Sequence, residues 1–134
     1  MKRIRDWVCL GAGLMDAGTG VMLVVAPLFT YRLMGLSIEG VDSAFTRFIG
    51  AFVFSVGGLY LFAFREAVAG RRQSWNALWL ATAWIRLWVG VVTLGLISAG
   101  GLEFAWISVP VSDLALAVYQ WSSRERKDWG NDVY

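Results

Sequence analysis

The sequence predicts an all-α protein, a bundle of four transmembrane helices with both termini on the cytoplasmic side. Three observations carry that reading. Hydrophobic residues make up 57% of the 134-residue chain and charged residues 16%, against roughly 25% charged in soluble domains. A chain this short has too little interior to hide so much apolar side chain, so its solvent must be lipid. The apolar residues also fall into segments near the ~20 residues that a helix needs to cross the hydrocarbon core. Finally, the basic residues alternate by side along the chain.

The first span is placed at 7–28 and ends at Pro27, which cannot continue a hydrogen-bonded helix interior. Its leading stretch, MKRIRDWVCLGAGLM, has the basic-then-apolar order of a signal peptide. The apolar run is longer than a signal-peptide core, so an uncleaved first helix is expected. The second span covers 44–64 and the third 76–98, with Arg65, Arg71 and Arg72 interrupting the apolar pattern between them. The fourth covers 102–122; only SAGGLE separates it from the third, which makes those two helices a tight antiparallel hairpin. Residues 1–122 thus form the bundle and 123–134 a polar cytoplasmic tail.

Lys2, Arg3 and Arg5 precede span one, Arg65, Arg71 and Arg72 lie between two and three, and Arg124, Arg126 and Lys127 follow four. The opposite side carries only Arg32 outside the spans. The positive-inside rule then puts both termini and the middle loop in the cytoplasm, and the expected location is the plasma (inner) membrane, multi-pass. Trp7, Tyr31, Trp75, Trp121 and Trp129 fall where an aromatic belt would sit.

Composition narrows the chemistry. There is no histidine and a single cysteine, Cys9. Haem ligation through histidine, histidine-based zinc sites, Ser-His-Asp catalysis and an internal disulfide are therefore excluded. A net charge of +2 gives no footprint for nucleic acid. GAGLMDAGTG (11–20) has glycine spacings like a nucleotide loop, but it lies inside a span with no lysine after it. It reads as a helix-contact face, as does FSVGGLYLF (54–62). Cys9 reads as apolar filler.

Charges inside the spans are the informative feature. Arg86 in span three, Asp113 in span four and Asp16 in span one each lie about 10 residues in, or ~15 Å deep at ~1.5 Å per residue. Arg47 lies nearer the outer surface, with a side chain long enough to snorkel in either direction. A bare charge at the bilayer centre costs at least ~2.5–3.5 kcal/mol and usually faces the bundle interior, paired. Helical phase agrees. Asp16 shares its face with Ala12, Gly13 and Gly20, and Arg47 with Gly50, Ala51, Phe54 and Gly58. Arg86 sits with Thr82, Ala83 and Gly90, and Asp113 with Pro110, Ala117 and Gln120. Small residues mark the faces on which membrane helices meet.

Asp16, Arg86 and Asp113 sum to −1, and Arg47 would bring the group to zero. Arg86–Asp113 is the expected primary pair, because the short hairpin makes their helices neighbours at equal depth. Pro110 is expected to kink its helix or to free a carbonyl for Arg86. The network admits three readings: a clamp that fixes helix register, a ligand or ion site, and a contact to another subunit.

PLFTYRLMGL after span one, RFIG opening span two with Tyr60 near its end, the basic turn, Arg86 and Asp113 together resemble small bacterial four-helix membrane proteins of the DoxX-like type. The resemblance covers about residues 10–120. It implies a four-helix bundle and permits association with a redox complex, since some DoxX-type proteins are small subunits linked to quinone-dependent sulfur oxidation. It carries over no catalytic residue.

The leading expectation is a non-enzymatic accessory or interaction subunit of a membrane assembly, partnered by the bilayer and by other membrane subunits or further copies of itself. The alternative is a binder or carrier of a small lipophilic or anionic ligand, a quinone or a lipid, without metal. Arg86 and Arg47 would then meet acceptor oxygens while Phe54, Trp79, Trp106 and Thr82 wall the apolar part. Proton-coupled transport is a third expectation, with Asp16 as the titrating group.

Overall fold

The computed structural model describes residues 2–124. Among them the secondary structure is wholly helical: α1 (Lys2–Val25), α2 (Pro27–Leu33), α3 (Ser43–Val68), α4 (Arg72–Ser98), a 3-10 turn (Phe104–Ile107) and α5 (Ser108–Ser122). Helices α1, α3 and α4 are each long and apolar enough to cross a membrane. The tail expected at 123–134, with Trp129, lies outside the described residues from position 125 onward.

Two boundaries differ from the sequence reading. The first span does not run to 28. The chain breaks at Ala26, and Pro27 opens the separate short helix α2. Proline suits that first position, because an N–H there has no partner to lose and φ is already helical. The helix expected from 102 begins at 108, after a 3-10 turn, so that Pro110 falls in its first turn. Proline is tolerated there for the same reason, and the expected mid-helix kink does not arise. Helix α3 is better capped: the Asp42 carboxylate accepts from the Ala44 and Phe45 amides at 2.8 and 3.1 Å. Helix α4 stops at Ala99, where Gly100 takes φ +74° and the Gly101 amide donates back to the Leu96 carbonyl at 2.8 Å.

Helix α1 lies antiparallel against α3, α3 against α4, and α4 against α5. The α1/α3 contact is backbone on backbone. A Cβ added at Gly20 would stand 2.7 Å from the Gly50 carbonyl oxygen, and one at Gly57 2.9 Å from that of Gly13. The glycine runs at 11–20 and 54–62 thus do meet, through Gly13, Gly20 and Gly57, while Gly11, Gly18 and Gly58 face open space.

The bundle buries polar and charged groups beside Trp75, Trp79 and Tyr60 and turns most of its large apolar side chains outward. Phe52, Phe62, Trp84, Val92 and Val118 are all more than half exposed, whereas Thr46, Thr82, Arg86 and Gln120 are buried. Water as solvent would select the opposite arrangement. One end gathers Arg5, Arg65, Arg71, Arg72 and Arg124; the other holds Arg32 and Arg47.

Candidate functional site, a buried arginine between two carboxylates

Arg86 sits just past the middle of α4, and every nitrogen of its guanidinium has a partner. One terminal nitrogen pairs with Asp113 of α5 and the other with Asp16 of α1. The Nε donates to the Tyr60 hydroxyl of α3 at 2.7 Å, and the guanidinium stands 5.1 Å from the centre of the Tyr60 ring. One side chain therefore ties all four long helices together. The arrangement follows from local sequence: Thr82, Ala83 and Gly90 on the Arg86 face are buried, and Gly90 lets Leu114 of α5 close in.

The polar chain continues inward. The Tyr60 hydroxyl donates to Gln120 Oε1 at 2.9 Å, and Gln120 Nε2 donates to Thr82 Oγ1 at 2.8 Å and to the Trp79 carbonyl at 3.1 Å. Trp79 Nε1 returns a bond to the Gln120 carbonyl at 3.1 Å. Gln120, Thr82 and Trp79 are wholly excluded from solvent, and the side-chain polar atoms of all three have partners. A buried network satisfied to this degree rigidifies a core, whereas a partly satisfied one would be costly.

Of the four ionisable residues expected in this core, the structure brings together Asp16, Arg86 and Asp113. Arg47 does not join them. It is exposed on α3 and donates to the Val24 carbonyl at the end of α1, 2.7 Å away. From its position near the start of α3 the long side chain reaches the end of α1 and not the Arg86 cluster. The carbonyl expected from Pro110 is not used by Arg86 either.

The expected pocket wall is dispersed. Trp79 and Thr82 are bonded into the core, Phe54 lies half-exposed on the outer face of α3, and Trp106 packs edge-on against Tyr31 at 5.7 Å. Sequence reasoning missed Tyr60 as a partner of Arg86, because a tyrosine in a span reads first as packing. Its signal was an arginine with three donor positions and only two facing carboxylates. Gln120, two turns beyond Asp113 on the same face, pointed the same way.

A second polar layer closes the arginine-rich end. Arg72 of α4 pairs with Asp6 of α1 at 3.0 and 3.2 Å, and Arg5 donates to the Ser123 carbonyl at 2.6 Å. The Arg5 and Arg72 guanidinium groups stand 4.9 and 5.7 Å from the Trp75 ring, which stacks on Trp79. Trp75 is therefore core and not part of an aromatic belt; Tyr31 is likewise buried, while Trp7 and Trp121 stay exposed. Cys9 is buried and donates to the Tyr60 carbonyl at 3.2 Å. Comparison with family profiles, curated proteins and solved structures finds no match to this chain.

Proposed function

We propose that the protein is a four-span inner-membrane protein, both termini cytoplasmic, that serves as a non-enzymatic accessory or interaction subunit of a membrane assembly. One observation carries the reading: each Arg86 nitrogen is bonded to a group of the same chain. The polar core is spent on holding α1, α3, α4 and α5 in register, which leaves the outer faces to do the work.

Other features support the four-span form. Helix α5 alone is about 22 Å long at ~1.5 Å per residue, and its 3-10 turn adds about 8 Å. Together they match the ~30 Å hydrocarbon core. Its Val111 and Val118 point outward and are well exposed, as lipid-facing residues would be. The crowding of arginines at one end supports a cytoplasmic assignment of that end. The DoxX-like resemblance is part of the same proposal, with a redox complex as one class of assembly.

The test is native mass spectrometry of the protein extracted from its own membranes in a mild detergent. Another membrane chain, or further copies of this one, should travel with it in fixed ratio. A monomer that emerges alone under those conditions overturns the proposal.

A further inference from the structure

Between α1 and α3, on the lipid-facing side, runs an open groove of about 430 Å3 lined by Val21, Val24, Val25, Ala51, Phe54 and Ser55. Its volume falls within the ~300–1,000 Å3 of small-molecule sites. The floor is apolar, because the Ser55 hydroxyl is turned back onto the Ala51 carbonyl at 2.8 Å. Arg47 stands at one end, one turn before Ala51 on α3 and bonded to the carbonyl of Val24. It is the sole Asp, Glu, Lys or Arg between positions 43 and 64.

An arginine has five N–H donors in a planar fork, and one hydrogen bond to Val24 leaves most of them unused. Among the described residues no carboxylate pairs with Arg47, and the side chain is exposed. A fork of this kind fits the oxygens of a phosphate. Arg47 lies only about 6 Å along α3 from Ser43, so it reaches the headgroup level while the groove runs from it toward the bilayer centre.

We propose that this groove seats one phospholipid, its phosphate on Arg47 and one acyl chain along Val21, Val24, Ala51 and Phe54. Charge complementarity at the mouth and an apolar floor behind it together specify an amphiphile with an anionic head. The proposal rests on α1 and α3 facing a bilayer and stands whether or not the protein has a protein partner.

The test titrates delipidated protein in detergent with dioleoylphosphatidylglycerol and with dioleoylglycerol, which has the same chains and no phosphate, followed by native mass spectrometry. One phosphatidylglycerol per chain should bind about ten-fold or more tightly than dioleoylglycerol. Arg47→Gln should reduce phosphatidylglycerol to the level of dioleoylglycerol. Ala51→Phe, which fills the groove and keeps Arg47, should weaken both. Equal binding of the two lipids to the unaltered protein overturns the proposal. So does undiminished phosphatidylglycerol binding by Ala51→Phe, or full competition by millimolar inorganic phosphate. A dimer that Ala51→Phe converts to monomer would make a second copy the occupant and would likewise overturn it.

Discussion

Arg86→Ala removes the one cation that faces the buried Asp113, the partly buried Asp16 and a tyrosine hydroxyl among the described residues. Breaking a buried pair from one side costs about 3–5 kcal/mol, because the remaining charges stay desolvated without a partner. Thermal unfolding in detergent should show that loss. Tyr60→Phe deletes a hydroxyl that accepts from Arg86 and donates to Gln120, and should cost less, about 1–3 kcal/mol. Replacing Asp16, Arg86 and Asp113 together with Asn, Gln and Asn removes the charges and should recover part of the Arg86→Ala loss. Unchanged stability of both single variants would show that the cluster is not a clamp. The Arg86–Asp113 pair and the inward turn of Asp16 were legible in the sequence, since depth and helical phase both follow from counting residues. The outward turn of Arg47 was not, because a long side chain near a helix end reaches two levels with the same backbone.

Glycine placement decides how closely α1 and α3 approach. Gly20→Ala and Gly57→Ala would each push a methyl group into the backbone of the opposing helix, at the Gly50 and Gly13 carbonyls respectively. Both should lower the melting temperature by several degrees. Gly18→Ala points into open space and should be neutral or gain up to about 1 kcal/mol from helix propensity. Equal effects at positions 18 and 20 would contradict the backbone-on-backbone contact. The glycine-rich stretches announced such a contact, but helical phase taken from Arg47 put Gly58 on the contacting face, whereas Gly57 meets α1 and Gly58 faces open space. Helix α2 was hidden for a related reason. Pro27 signals a stop and a start equally, and its position at the head of α2 becomes evident only once α1 is seen to end at Val25.

For the whole molecule, alternation of sides is the claim to test. In a Cys9→Ala background, Glu39→Cys and Ala99→Cys should react with an impermeant maleimide from outside the cell, whereas Ala69→Cys and Ser123→Cys should react only after permeabilisation. Matching behaviour of positions 99 and 123 would mean that α5 does not cross. That the chain is helical and apolar on its outside was readable from composition, since so much hydrophobic surface in so short a chain cannot be buried. The second polar layer around Trp75 was not readable. Asp6 lies among basic residues and looks like a solvated charge, yet it holds Arg72, 66 positions away.

The Arg86 partners are spread unevenly along the chain: Asp16 lies 70 residues before Arg86 and Asp113 only 27 after it. The two halves of the molecule are therefore not equivalent in charge. An α4–α5 hairpin carries its own Arg86–Asp113 pair, whereas α1 to α3 carry Asp16 without the cation that bonds it. Cut in the loop between α3 and α4, the molecule would part into one half with a cation to share and one half in need of it.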